Sequence, residues 1–242
     1  MTGERSGVAP DCSRVLAEHG LNLQAVFNLS DLPDGIRASI AGVRDVHTYR
    51  QMIVFGHGGP ALWRSLSASG CMQGENPVDH FSAEIVARYF ASENPDHRYC
   101  LLYPDNQLLL PLQQLGELAG WHHPSPFRLG INQYWGSWFA YRAVVLADSS
   151  FPASKPLSGA SPCQGCATTP CMAACPVSVD GSISLNDCMD ERSGEGSACA
   201  FTCLARLACP VRQEMRYEPA QMAYHYGCSL ATIRSYRASS AE

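Results

Sequence analysis

Apolar positions recur at helix and strand spacing as far as Leu146 and lose that regularity beyond it. Residues Ser13 to His19 read as a short helix, and short amphipathic pieces follow up to about residue 50. The unbroken apolar run Met52-Ile53-Val54-Phe55-Gly56 predicts a buried strand, closed by the glycine-rich turn His57-Gly58-Gly59-Pro60. Ala61 to Ser67 resumes as helix. Pro77 opens an amphipathic helix through Phe90, with Phe81, Ile85, Val86 and Tyr89 on one face. A strand is predicted over Arg98 to Tyr103, a turn at Pro104-Asp105-Asn106, and a helix over Leu108 to Ala119. Phe139 to Leu146 is the clearest strand, just after the aromatic turn Tyr134-Trp135-Gly136-Ser137-Trp138.

After that strand the composition changes. Asp148 to Pro162 is rich in Ser, Pro and Ala and reads as a linker. The pattern predicts an α+β domain over residues 1–150, a linker over 151–162 and a small metal-stabilised domain over 163–242. The chain has 242 residues, 46% of them apolar, which is enough to bury a core. Its net charge of −5 argues against a nucleic-acid backbone as the main partner. No run approaches the roughly 18 apolar residues that span a bilayer. Met1-Thr2-Gly3-Glu4-Arg5 lacks the start of a signal peptide, so a cytoplasmic location is expected.

Cysteine changes the picture most. Of 12 cysteines, nine fall between Cys163 and Cys228. Clustered thiols in a reducing compartment point to metal ligands more than to disulfides. The first group, Cys163-x2-Cys166-x4-Cys171-x3-Cys175-Pro176, approaches the bacterial ferredoxin run, in which the cysteine before proline serves the other cubane. Its middle gap is longer by two residues. A second group, Cys188, Cys199, Cys203 and Cys209-Pro210, repeats the Cys-Pro ending. Eight thiolates suffice for two [4Fe–4S] clusters. The crossed assignment gives Cys163, Cys166, Cys171 and Cys209 to one, and Cys175, Cys188, Cys199 and Cys203 to the other. A single cubane, or zinc held by paired cysteines, is the alternative. Cys228 has no partner at ligand spacing and reads as a buried thiol.

The strand Gly136-Ser137-Trp138-Phe139-Ala140-Tyr141-Arg142-Ala143-Val144-Val145-Leu146 resembles the G-G-W-F-A-I-R-G-V-V-L strand of the CblC family of cobalamin-processing proteins. Asn76-Pro77-Val78-Asp79 with its helix, and the Pro60-Ala61 turn, are weaker points of likeness. The resemblance implies a nitroreductase-like (CblC-like) sandwich domain holding cobalamin, here followed by a ferredoxin-like iron–sulfur domain that the known animal members lack. It places Tyr134, Trp135, Gly136, Trp138, Phe139 and Arg142 at the cofactor. Arg142 falls where the family has an arginine that contacts glutathione. On its own, Arg142 reads as an outward arginine of an alternating strand.

The resemblance together with the cysteines points to reduction of bound cobalamin and removal of its upper ligand. Electrons would come from a ferredoxin or flavodoxin through clusters near about −400 mV. Two alternatives stand beside it: a cobalamin-dependent reductase of an organic or nucleoside substrate, like epoxyqueuosine reductases or reductive dehalogenases, and a cobalamin carrier without turnover. FMN is a less favoured occupant of the same fold. His57 and the pair His122-His123 could lie near a corrin, but loop histidines are usually surface groups. The stretch Gln221 to Arg237 faintly resembles a helix-turn-helix, and a helix packed on the cluster domain is the better reading.

Overall fold

In the computed structural model, which describes residues 13–104 and 108–239, strands form where large apolar residues run without charge. The elements in chain order are α1 (Arg14–Glu18), β1 (Leu23–Asn28), α2 (Asp34–Ser39), β2 (Gln51–Gly58), α3 (Ala61–Ser69) and α4 (Pro77–Glu93). They continue with β3 (Tyr99–Tyr103), α5 (Leu112–Leu118), β4 (His123–Pro124), β5 (Gly130–Ile131) and β6 (Phe139–Ala147). The cysteine-rich part adds α6 (Pro170–Ala174), β7 (Ser178–Val179), β8 (Ser182–Ile183), α7 (Leu185–Ser193), α8 (Leu204–Ala208) and α9 (Pro219–Ser239). The first five residues, Cys12 and the turn residues Asp105 and Asn106 lie outside the described residues.

Two compact units result. One joins the chain up to His122 with Phe139–Ser158, and the other joins His123–Trp138 with the residues from Gly159 onward. This corrects the linear division at residues 150 and 162. The reason is that Phe127 and Ile131 are buried in the same apolar cluster as Cys171 and Cys209, which draws 123–138 out of the first unit. Arg128 Nε donates to the Ile183 carbonyl at 2.9 Å and Arg212 Nε to that of Gln133 at 2.8 Å, tying the segment down within the second unit.

The first unit is built on one antiparallel sheet in the order β1-β2-β6-β3. Val54 of β2 stands opposite Ala25 of β1 and Val144 of β6. All eight residues of β2 are buried, so the strand is covered on both faces. It runs to Gly58, which corrects the expected turn at His57: that residue lies in the strand, fully buried. α4 buries Phe81, Ile85, Val86 and Tyr89, as its pattern predicts, and Phe90 besides. Each such side chain contributes about 1.5–3 kcal/mol. α5 starts later than expected because Pro111 occupies its N-cap, leaving Leu109 exposed. β1 was not predicted.

The Ser/Pro-rich stretch after β6 is not a free tether along its first half. Phe151 exchanges hydrogen bonds with the Gln51 side chain, Ser154 with the backbone of Val26, and Leu157 N–H donates to the Ala119 carbonyl. Low hydrophobicity suggested a linker, but the backbone polar groups are spent on the sheet's surroundings.

In the second unit α6 and α8 are five residues each, α9 alone among the described helices there is long at 21 residues, and the strands are two-residue pairs, β4 with β5 and β7 with β8. Its apolar centres are the cluster around Phe127, Ile131, Cys171 and Cys209 and another of Trp138, Tyr217 and Met222. α9 runs unbroken through Gly227, whose backbone faces the Phe201 ring, so the faint helix-turn-helix is not formed. α9 packs on α7. No helix among the described residues is long and apolar enough to cross a membrane.

Candidate metal centre

The cysteines are placed by short caps and by proline. Ser161 accepts from Cys163 N–H and starts a 3₁₀ turn that carries Cys163 and Cys166. Pro170 opens α6, which carries Cys171. Cys175 and Cys209 each precede a proline and are extended, at φ/ψ of −82°/119° and −63°/126°. Proline disfavours a helical residue before it, so each helix stops there and its last cysteine is sent elsewhere.

The outcome is two groups. Cys163, Cys166, Cys171 and Cys209 line one cavity together with Pro126, Phe127, Ile131, Pro162, Thr169, Pro170, Pro210 and Val211. Cys188 and Cys199 stand in electrostatic range of Cys175 and Cys203. Burial pushes the Cys163, Cys171, Cys188, Cys199 and Cys209 thiols above the usual thiol range, with neighbouring thiols adding to the effect. Cys228 is exposed on α9, which corrects the expectation of a buried thiol. Among the described residues, no three His, Cys, Asp or Glu side chains converge closely enough to hold a single metal ion.

Raised thiol pKa values have a consequence for metal uptake. A thiol must lose its proton to bind iron, so protons compete with the metal and uptake strengthens as pH rises toward the thiol pKa. Anaerobic equilibration with iron and sulfide is expected to load more iron at pH 8.5 than at pH 6.5, read as iron per chain. Equal loading at both would contradict the assignment of these buried thiols as ligands.

Two buried arginines flank the second group. Arg192, one turn beyond Cys188 on α7, donates from Nε to the Cys199 carbonyl at 3.4 Å and from Nη2 to that of Tyr226 at 2.8 Å. Arg206 lies over the Trp138 ring at 4.3 Å and the Tyr217 ring at 4.8 Å, and donates to the Ser137 carbonyl. Neither has a carboxylate partner among the described residues. Sequence reading missed both: Arg192 lies in the polar stretch Asp190-Glu191-Arg192-Ser193, and Arg206 is a lone charge in the short apolar Leu204–Ala208, where no local pattern marks its burial.

The aromatic turn is held by Asn132, whose side-chain oxygen accepts from the N–H groups of Tyr134 and Trp135 at 2.9 Å. Trp138 is fully buried and Trp135 nearly so, whereas Tyr134 is half-buried. The Trp138 ring is taken up by Arg206 and Tyr217. Gly136 is left-handed at φ 58°, and a Cβ there would lie 2.5 Å from the Val211 carbonyl oxygen. Replacing Gly136 with alanine is therefore expected to cost about 1–3 kcal/mol from the backbone conformation alone, plus the clash. A thermal unfolding midpoint unchanged from the parent would contradict this.

In the first unit, Phe139 is buried and Arg142 is not the outward residue that strand alternation suggested. Arg142 Nε donates to His57 Nδ1 at 3.0 Å, which leaves the His57 proton on Nε2, and Arg142 Nη1 stands 4.0 Å from Asp79 Oδ1. Burial pushes the Asp79 carboxyl up and Arg142 opposes it. Burial also raises the Tyr103 hydroxyl, which lies near both. His122 is buried and within 3.4 Å of the Tyr141 hydroxyl, so it too is no surface histidine.

Comparison with known proteins places the fold. No protein-family model and no curated protein matches the chain. Among solved structures, epoxyqueuosine reductase from Streptococcus thermophilus is similar at 12% identity and TM-score 0.50, over 85% of this chain and 66% of that one. An epoxyqueuosine reductase solved with a tRNA-Tyr stem loop is similar at 12% identity and TM-score 0.52, over 86% and 66%. The chain thus spans just under two thirds of the length of these reductases. The B12-trafficking protein CblC of C. elegans matches at 12% identity and TM-score 0.46, over 88% of each chain, too weakly to bear on the fold. The fold, a mixed α/β arrangement with a central antiparallel sheet, is similar to that of these reductases.

Proposed function

We propose that the chain is an iron–sulfur, cobalamin-dependent reductase that acts on cobalamin itself and removes its upper ligand. The observation that carries the reading is the second group of thiols with Arg192 and Arg206 buried beside it. Buried cations without carboxylate partners are costly unless an anion completes the site. A cubane with four thiolates is such an anion. A cubane also takes one thiolate per iron, so its ligands surround a space larger than a single ion and need not converge on a point. The donor set fits a cubane, and the crossed sharing expected from the Cys-Pro endings is the one this reading adopts.

When bound, the clusters supply single electrons at low potential and the corrin supplies the cobalt at which the ligand is lost. The chain's own residues do the rest. Cys163, Cys166, Cys171 and Cys209 would hold one cluster in a mostly apolar pocket that keeps water off its sulfurs. Cys175, Cys188, Cys199 and Cys203 would hold the other. Arg142, held through Nε by His57 and facing Asp79 through Nη1, would offer Nη2 to an acceptor such as a corrin amide or the carboxylate of a thiol co-substrate like glutathione. Of the six residues assigned to the cofactor, Tyr134 is half-buried, Trp138 is fully enclosed by protein, and Trp135, Phe139 and Arg142 are buried, so Tyr134 has the most surface left for a ligand and Arg142 would meet one only through its guanidinium. Electrons would enter from a ferredoxin or flavodoxin.

A second reading, reduction of a modified nucleoside with cobalamin as the tool, is favoured by the likeness to epoxyqueuosine reductases. One of these was solved with a tRNA stem loop, which counts against the expectation that nucleic acid is no partner. The test supplies anaerobically reconstituted protein and reduced ferredoxin with cyanocobalamin, and separately with an epoxyqueuosine-containing stem loop. Cyanide release in repeated turnovers supports the first reading. Release of none, with the epoxide reduced, moves the assignment to the second.

A further inference from the structure

The two groups of thiols sit in different electrostatic surroundings, and the difference has a direction. Beside Cys175, Cys188, Cys199 and Cys203 lie two guanidinium groups that are each more than nine-tenths buried. The Arg192 charge favours the thiolate of Cys188. The Arg206 backbone N–H donates to Cys203 Sγ at 3.4 Å. The Tyr226 side chain lies beside both the Cys203 sulfur and Arg206, and the Arg192 guanidinium covers its ring at 4.9 Å. The opposing acid is Glu191, which acts on Cys199 and is half-exposed.

Around Cys163, Cys166, Cys171 and Cys209 the cation is Arg216, which acts on Cys209 and is half-buried. The remaining lining is proline, Phe127, Ile131, Val211 and Thr169. Reduction adds a negative charge to a cluster. Buried positive charge and hydrogen bonds to sulfur favour that state, and they act more strongly in the interior than at a screened surface.

We infer that Arg192, Arg206 and Tyr226 are positioning residues that raise the reduction potential of the cluster at Cys175, Cys188, Cys199 and Cys203 above that of its neighbour. This rests on the reading of the two groups as cubane ligands. A single electron entering the protein therefore settles on that cluster. The other is reduced only by a stronger donor.

The test is a potentiometric titration of the full-length, anaerobically reconstituted protein with dithionite, followed by electron paramagnetic resonance. Cys203→Ser and Cys163→Ser variants identify which signal belongs to which group. The expected result is two separated one-electron waves, the higher one lost in Cys203→Ser. Arg192→Gln and Tyr226→Phe are expected to move only the higher wave, and downward. Tyr226→Phe keeps the ring, so a misfolded Arg192→Gln protein leaves the test standing. Coincident waves, a higher wave that belongs to Cys163, or waves unmoved in Tyr226→Phe would overturn the inference. A parent protein that binds iron and sulfide at neither group overturns the cubane reading itself, a result distinguishable because no wave is then seen.

Discussion

Replacing Cys209 with serine is expected to abolish the same cluster signal as replacing Cys163, and to leave intact the signal that depends on Cys188 and Cys203. Cys175→Ser is expected to do the reverse. In the sequence, Cys175 closes the run that begins at Cys163, so a linear sharing would make those two equivalent. The structure instead lines one cavity with Cys163, Cys166, Cys171 and Cys209, and sets Cys175 in range of Cys188 and Cys199. The cause is local. α6 ends at Ala174 and α8 at Ala208, and the extended Cys175 and Cys209 that follow turn the chain away before Pro176 and Pro210. Each single variant should lower iron content by roughly half, since each cubane holds four irons. Paired loss of signal in Cys163→Ser and Cys175→Ser would contradict the crossed sharing.

Removing the iron is expected to unfold the second unit and spare the first. Among the described residues that unit has no sheet larger than a two-residue pair, and α6 and α8 are five residues each, too short to persist alone. Its apolar cluster is made in large part of cysteines, Cys171 and Cys209 buried and Cys163, Cys175, Cys188 and Cys203 around them. Without metal these side chains form no cross-link. Structural metal can contribute on the order of 10 kcal/mol to a small domain. The first unit keeps a four-stranded sheet whose β2 is buried along its whole length. After iron is stripped with a chelator and reductant, limited proteolysis should cut within α7 and α9 while β2 and β6 stay protected. A second unit that resists cleavage after complete iron loss would contradict the account.

How much was legible depended on whether one residue type dominated its surroundings. α4 and β6 were readable because long apolar patterns allow one burial solution each. Spacing and the two Cys-Pro endings carried the cysteine groups as an expectation, which the serine variants above test. β1 was not, because Gln24 and Asn28 interrupt a short apolar run whose inner face is set by pairing with β2. His57 was taken for a turn residue because of the glycines after it, yet Gly58 pairs with Phe139 and continues the strand. Residues 123–138 belong to the second unit through Phe127 and Ile131, a long-range choice that no local pattern carries. Arg142, Arg192 and Arg206 are the sharpest case. As charged side chains each reads as solvent-facing, whatever its neighbours, and each is buried because the fold brings a ring, a histidine or a thiol to it.

The central claim is that a corrin and the clusters belong to one protein. The direct measurement is an anaerobic titration of the reconstituted chain with hydroxocobalamin, watched by visible absorption before and after dithionite. The account predicts a broad cluster shoulder near about 400 nm that bleaches on reduction, consistent with low-potential cubanes. It also predicts a saturating shift of the corrin bands to the base-off form. A bleaching shoulder with a corrin spectrum that never moves would contradict the cobalamin assignment and turn the search to a flavin.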